Sequence, residues 1–164
     1  MGFIRTKKIS GKEYAYLVEN KWYKRGFKSK GRGPRQKVSR YLGRVYNFDI
    51  KNNDDFFTFK EINNLDQYLK NNNKEKIIKE LVEWEFWRHS IDKEQFTIDF
   101  VSKKVLRSNR EVSLKINDGF LNNYTLSRLF NLKLVDRGSY YLAKCFVEAG
   151  IEIPKEVFVG VFGK

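Results

Sequence analysis

The amino-acid sequence predicts an α+β fold: a three-stranded antiparallel β meander comes first, and a helical body with a second β-hairpin follows. Apolar and polar residues alternate within short segments of residues 3–46, as they do in β-strands. Residues 74–90 instead carry apolar side chains at spacings of three and four, and this helical spacing returns from Tyr124 onward. A chain of 164 residues is long enough to bury a core without disulfide bonds.

The meander is predicted from three segments. Residues 3–9 and 13–23 form the first two strands, joined by a tight turn at Ser10-Gly11. A loop rich in glycine, lysine and arginine follows, and residues 35–46 form the third strand. Such a meander has one apolar face that another part of the chain must cover.

Strict alternation divides the side chains of the second and third strands between two faces. The second strand places Tyr14, Tyr16 and Val18 on one face and Ala15 and Leu17 on the other. The sets in the third strand are Lys37, Ser39, Tyr41 and Gly43 on one face, and Val38, Arg40, Leu42 and Arg44 on the other. Neither face of the third strand is then apolar. A bulge or twist near Gly43 would reconcile the pattern with one apolar face, and the register there is left open.

The body begins near residue 50, where asparagine and aspartate cluster. The prediction therefore has two domains, a basic three-stranded β element over residues 1–49 and a near-neutral α+β body over residues 50–164. Helices are predicted over residues 61–70, 74–90, 124–132, 139–150 and 154–162. The second hairpin is predicted to pair residues 95–101 with residues 111–116.

Positive charge is concentrated at the start of the chain. Residues 1–46 contain 14 lysines and arginines but only two acidic residues, Glu13 and Glu19, which gives a net charge of +12. The remaining residues contain 19 basic and 18 acidic side chains. Such a block indicates a polyanionic partner, either nucleic acid or an anionic membrane. Solubility is the alternative explanation, but it does not account for the near-neutral second part.

The candidate nucleic-acid-binding residues are basic side chains interleaved with aromatic ones. Cations neutralise phosphates, and tyrosine or tryptophan rings stack on bases. The predicted set is Arg5, Lys7, Lys8, Lys12, Lys21, Trp22, Tyr23, Lys24, Arg25, Lys28, Lys30, Arg32, Arg35, Lys37, Arg40 and Arg44. For the tyrosines of the meander, ordinary packing within the sheet is the alternative role.

Other classes of function are not indicated. No apolar run approaches the roughly 20 residues that span a bilayer, and the first ten residues lack the apolar region of a signal peptide. We therefore expect a cytoplasmic protein with no membrane partner. The glycines of the basic loop do not match a phosphate-binding loop, and we expect no cofactor. Cys145 and the stripe of Trp84, Phe86 and Trp87 are predicted to be core residues.

A metal-dependent nuclease is the enzymatic alternative. Asp99 and Glu111 would face each other across the predicted second hairpin, with Lys103 or Lys115 nearby, and paired carboxylates hold the metal ions of such enzymes. Because acidic residues are frequent in this part of the chain, such a pairing also arises by chance, and we expect a non-enzymatic protein. His89, the only histidine, is expected on a helix surface or at a helix cap.

Residues 3–45 carry a longer pattern of residue types. A Phe-Ile-Arg strand is followed by Gly-Lys-x-Tyr-x-Tyr-Leu-Val-Glu, and the segment closes with Arg-Gln-Lys-Val-x-x-Tyr-Leu-Gly. This pattern resembles the N-terminal β element of insertion-sequence DDE transposases. The resemblance implies a DNA-associated β element, in which the long basic insertion over residues 21–33 enters a groove or follows phosphates. No DDE catalytic core is recognisable after it, so the resemblance implies the element and not transposition.

These observations lead to one predicted function and two alternatives. The leading prediction is a non-enzymatic nucleic-acid-binding protein whose basic β-sheet and cationic glycine-rich loop contact the phosphates of DNA or RNA. The first alternative is a ribosome-associated protein whose loop lies between rRNA helices and orders on binding. The second alternative is the metal-dependent nuclease.

Overall fold

The computed structural model describes residues 2–23, 33–131 and 138–163. The strands in these residues are β1 (Gly2–Ile9), β2 (Lys12–Tyr23), β3 (Gly33–Asn47), β4 (Phe96–Asp99), β5 (Lys104–Arg107), β6 (Arg110–Ile116) and β7 (Gly119–Leu121). The helices are α1 (Phe56–Phe59), α2 (Leu65–Asn71), α3 (Lys74–Arg88), α4 (Asn123–Phe130), α5 (Ser139–Ala149) and α6 (Lys155–Phe162).

The seven strands form one sheet in the order β1-β2-β3-β6-β5-β4, with β7 paired to β6. β1, β2 and β3 form the predicted antiparallel meander, with its first turn at Ser10-Gly11. The predicted α+β class is therefore confirmed. β3 then pairs in parallel with β6 of the body. The predicted boundary near residue 50 consequently separates two segments that share a sheet, and the division into two domains stays a prediction.

The partners predicted for the second hairpin are wrong. β4 does not pair with β6, because β5 lies between them and forms antiparallel pairs with both. β5 has four residues, with a charged residue at each end and only Val105 and Leu106 as apolar residues. So short a segment does not display a two-residue period, which is why the sequence pattern did not reveal it.

Side-chain caps define where the first helices begin. Asp55, Asn64 and Asn73 each accept a hydrogen bond from the backbone N–H three residues later, at the starts of α1, α2 and α3. The sequence pattern does not predict α1, because the Asn- and Asp-rich segment before it indicates only a boundary between the meander and the body. The cap at Asn64 also places the start of α2 after the predicted residue 61, and residue 132 of the predicted fourth helix lies outside the described residues.

The main hydrophobic core lies between α3, the strands of the body and helices α4 to α6. Trp84 and Phe86 are buried on α3, and Cys145 is buried on α5, as predicted. A second, smaller core lies beneath the meander. It consists of Ala15, Leu42 and Val45, and the partly buried Ile4, Leu17, Phe120 and Tyr124 pack against it. Phe120 and Tyr124 belong to the body, so one face of the meander is covered.

Glu85 is a completely buried carboxylate on α3. It accepts hydrogen bonds from Arg88 Nη1 at 3.1 Å, from Asn117 Nδ2 at 2.8 Å and from the backbone N–H of Glu152 at 3.0 Å. These contacts join α3 to the turn before β7 and to the segment between α5 and α6. Burial raises the pKa of Glu85 to about 7. His89 caps the C-terminus of α3, one of its two predicted roles, and is also buried.

Gly43 allows β3 to approach β6 closely. Its φ of +100° lies in the region that favours glycine. A Cβ atom at this position would overlap the carbonyl oxygen of Glu111 and would lie 2.8 Å from the Cα of Val112. Directly beside this contact, Ser113 Oγ donates a hydrogen bond of 2.8 Å to the carbonyl oxygen of Leu42. No residue with a side chain fits here without moving one of the two strands.

We expect Gly43→Ala to lower the free energy of unfolding by about 2 to 4 kcal/mol, because it combines backbone strain with a steric overlap. Gly11→Ala is the matched control, since Gly11 also has a positive φ of 76° but no atom lies within 4 Å of its added Cβ. The control substitution should lower the free energy of unfolding by about 1 kcal/mol. Urea unfolding measures the free energy of unfolding of both variants. Equal losses in the two variants would show that the close approach of β3 to β6 at Gly43 adds nothing to the effect.

Glu85→Gln should remove a pH dependence of stability. The pKa of Glu85 is raised in the folded protein from 4.5 to about 7, so its protonated form favours folding. The free energy of unfolding of the wild type should therefore fall by about 1 to 3 kcal/mol relative to that of the variant as the pH rises from 4.5 to about 7. Urea unfolding across this range is the measurement. Glu83→Gln, at an exposed position on the same helix, is the control and should show the same pH dependence of stability as the wild type. A wild type that gains stability relative to Glu85→Gln over this range would contradict the prediction.

Candidate nucleic-acid interface

The pairing of β2 with β3 contains two β-bulges. One extra residue of β3, Leu42, lies opposite the step between Ala15 and Tyr16, and a second, Ser39, lies opposite the step between Leu17 and Val18. Each extra residue shifts the alternation of β3 by one position. The predicted bulge beside Gly43 is thus confirmed, and the two faces that strict alternation assigned to β3 are wrong.

Three rows of side chains cross one face of the meander, because residues directly opposite each other project from the same side of a sheet. The rows are Phe3–Val18–Val38, Arg5–Tyr16–Tyr41 and Lys7–Tyr14–Arg44. We call this side the tyrosine face. The opposite side, which we call the core face, packs on the body through Ala15 and Leu42. The separation of Tyr14, Tyr16 and Val18 from Ala15 and Leu17 agrees with the prediction for the second strand.

The Tyr41 ring lies against both Tyr14 and Tyr16. The ring centroids of Tyr16 and Tyr41 are 5.4 Å apart, and those of Tyr14 and Tyr41 are 6.3 Å apart. The Tyr41 side chain remains 51% exposed. Partial burial and the neighbouring tyrosines raise the pKa of Tyr41, so its phenol is neutral at physiological pH. These rings therefore pack within the sheet and also present an aromatic surface.

Cations adjoin this cluster. The Nζ atom of Lys7 lies 5.7 Å from the centre of the Tyr16 ring. Arg5 donates a hydrogen bond to the side chain of Gln36. The Arg44 guanidinium lies 5.0 Å from the centre of the Tyr46 ring. Arg5 and Lys7 are both exposed, so their charges remain available to a ligand.

The tyrosine face carries no carboxylate among the described residues. Glu13 and Glu19, the two acidic residues of the segment, fall on the core-face side of β2 by alternation. There Glu13 lies opposite Lys8, and Glu19 lies opposite Lys37. Lys8 and Lys37 on the core-face side thus have an acidic neighbour across the strands, whereas the cations of the tyrosine face do not.

The predicted binding residues divide into three groups. Those on the tyrosine face are Arg5, Lys7, Lys12, Trp22 and Arg44. Those on the core-face side are Lys8, Lys21, Tyr23, Arg35, Lys37 and Arg40. Lys24, Arg25, Lys28, Lys30 and Arg32 lie outside the described residues. The prediction did not include Tyr14, Tyr16, Tyr41, Phe3 or Val38. The alternation of β2 was the available signal for the tyrosines, but the bulges of β3 concealed their common face.

The carboxylates proposed for a nuclease do not face each other across a hairpin. β5 separates their strands. The Asp99 carboxylate accepts hydrogen bonds from Ser102 Oγ at 2.6 Å and from the backbone N–H of Val101 at 2.9 Å. Glu111 forms an ion pair of 3.7 Å with Lys104. Within the described ranges, no three His, Cys, Asp or Glu side chains are placed to hold a metal ion.

In the part of the chain that the structure describes, no helix is both long and apolar enough to cross a membrane. Comparison of the chain with protein-family models, with curated proteins and with solved structures finds no match. The resemblance to the N-terminal element of insertion-sequence transposases therefore stays a prediction, and the case for a function depends on the tyrosine face.

Proposed function

We propose that this protein is a non-enzymatic nucleic-acid-binding protein that contacts DNA or RNA with the tyrosine face of its meander. The observation that carries the proposal is the composition of this face. Half-exposed aromatic rings lie beside exposed cations, and the described residues place no carboxylate among them. Nucleic acids offer phosphates for the cations and bases or sugars for the rings.

The arrangement of charge supports the choice of this face over the other. Arg5 and Lys7 follow each other along one side of β1, with no acidic residue opposite either of them. Lys8 and Lys37 on the core-face side each lie opposite a glutamate, which reduces the local positive potential. On the tyrosine face no carboxylate of the described residues offsets the cations, which favours contact with a polyanion there.

The β2–β3 hairpin carries further cations away from the body, on the core-face side of the sheet. Lys21 and Arg35 lie directly opposite each other near its end, and the Arg35 guanidinium lies 5.3 Å from the centre of the Tyr23 ring. Cations on both strands at this end offer charge-assisted hydrogen bonds to a phosphate. We propose that the end of the hairpin, together with the cationic loop predicted from the sequence, contributes further phosphate contacts.

The double variant Arg5→Gln/Lys7→Gln should weaken nucleic-acid binding and reduce the salt slope by up to about two, since each phosphate contact contributes roughly 0.7 to 0.9. Lys8→Gln/Lys37→Gln is the matched control, because it removes the same charge from the same meander on the other side of the sheet. Titrations with single-stranded and duplex DNA and with structured RNA across salt concentrations measure both effects. Equal losses in the two double variants would contradict the assignment to the tyrosine face.

If the ribosome-associated alternative holds, we expect the protein to sediment with ribosomal particles of the cytoplasm. Sedimentation of a cytoplasmic lysate at low and high salt shows whether the protein travels with ribosomal particles. Its absence from these particles at low salt would remove the ribosomal alternative and would leave the proposal for the tyrosine face in place.

A further inference from the structure

We propose that the ligand of the tyrosine face is a single-stranded nucleic acid, of either sugar type, whose bases stack on Tyr41 and Trp22 while its phosphates follow β1. This inference rests on the proposed function and goes beyond it, since it specifies the form of the polymer. It is argued from the apolar content of the face and from the position of its cations.

A strip of exposed apolar side chains, contributed by all three strands, runs along the face. The side chains of Tyr41, Val38 and Phe3 are 51%, 46% and 38% exposed, and Trp22 is 65% exposed. Trp22 follows Tyr16 by six residues along β2, so it lies on the same face about 20 Å from the tyrosine cluster. Single exposed apolar residues are normal on a protein, but four on one face mark a binding surface.

A duplex does not match this strip. Its phosphates are outermost and the flat faces of its bases are stacked inside, so it meets a protein surface with charge and with polar base edges. The centre of the tyrosine face offers rings and aliphatic side chains instead of a line of cations. Stacking on aromatic side chains requires bases that are free of a partner strand.

A single strand does match the arrangement. It has one row of bases and one row of phosphates, and on the face the rings of Tyr16 and Tyr41 lie beside the cations of β1. Arg5 and Lys7 lie on β1 at the side of the strip, and Lys12 begins β2 at the same end of the meander as Lys7. A strip of about 20 Å accommodates several nucleotides, within the roughly 4 to 16 that comparable sheets bind. The neutral phenol of Tyr41 adds no repulsion toward the phosphates.

Fluorescence anisotropy with the wild-type protein provides the first test. The probes are a labelled thymidine oligonucleotide of about twelve nucleotides, a uridine oligonucleotide of the same length, a duplex of that length, and an abasic oligonucleotide with the same number of phosphates. We expect both single strands to bind at least about tenfold more tightly than the duplex and the abasic strand. The abasic probe separates stacking from phosphate attraction without any change to the protein.

Substitution of the two rings provides the second test. Tyr41→Leu and Trp22→Leu keep an apolar side chain but remove the stacking surface, and each should weaken thymidine binding by about 5- to 150-fold, while binding of the abasic strand stays unchanged. Tyr140→Leu is the matched control, because Tyr140 is 82% exposed on α5 of the body. Circular dichroism and thermal unfolding of the variants confirm that they are folded.

The outcomes separate the two proposals. If the wild type binds none of the probes, the proposed function itself is overturned. If it binds the duplex or the abasic strand as tightly as the thymidine strand, or if the two ring substitutions behave like Tyr140→Leu, the single-strand inference alone is overturned.

Discussion

The close approach of β3 to β6 at Gly43 is the constraint on which the rest of the molecule depends. β3 is the last strand of the basic meander, and β6 is the strand of the body to which it is paired. Ser113 of β6 donates to the Leu42 carbonyl and accepts a hydrogen bond of 3.2 Å from Asn122 Nδ2. Asn122 in turn caps α4 through its side-chain oxygen. The bulge, the parallel strand pair and the start of α4 are therefore one hydrogen-bonded unit, which fixes the meander to the body.

The same bulges decide what the free side of the meander contains. Strict alternation would place Leu42 on the same side as Val38 and Arg44. The two extra residues of β3 instead bring Leu42 to the small core, and they leave Val38 and Arg44 on the same side as Tyr41. The two bulges thus provide an apolar face for the body and bring Tyr41, Val38 and Arg44 together on the side of the candidate site. The position of the candidate site follows from the requirements of the fold.

How much the sequence predicts depends on the length and regularity of each element. β1, β2 and α3 are long and regular, so their periods and the Ser10-Gly11 turn predict them well. β5 is too short to show a period, and the bulge at Leu42 lies beside β6, a partner more than 60 residues away in the sequence. For the same reason, the concentration of positive charge in residues 1–46 predicts the cations of the site but not which of the two faces each one lies on. The sequence predicts Trp22 as a site residue, whereas the common face of Tyr14, Tyr16 and Tyr41 becomes evident only once the register is known.

The separation of the two faces also explains why a surface with exposed apolar rings is compatible with a stable fold. The exposed parts of the Tyr41 and Trp22 rings remove no apolar surface from water, so they add little to the stability of the free chain. Stability in this region comes from the core face, from the long β2–β3 pairing and from the junction at Gly43. Because the core face carries the contacts with the body, packing on the body does not constrain the side chains of the tyrosine face, and this is compatible with the proposed complementarity to a polyanion.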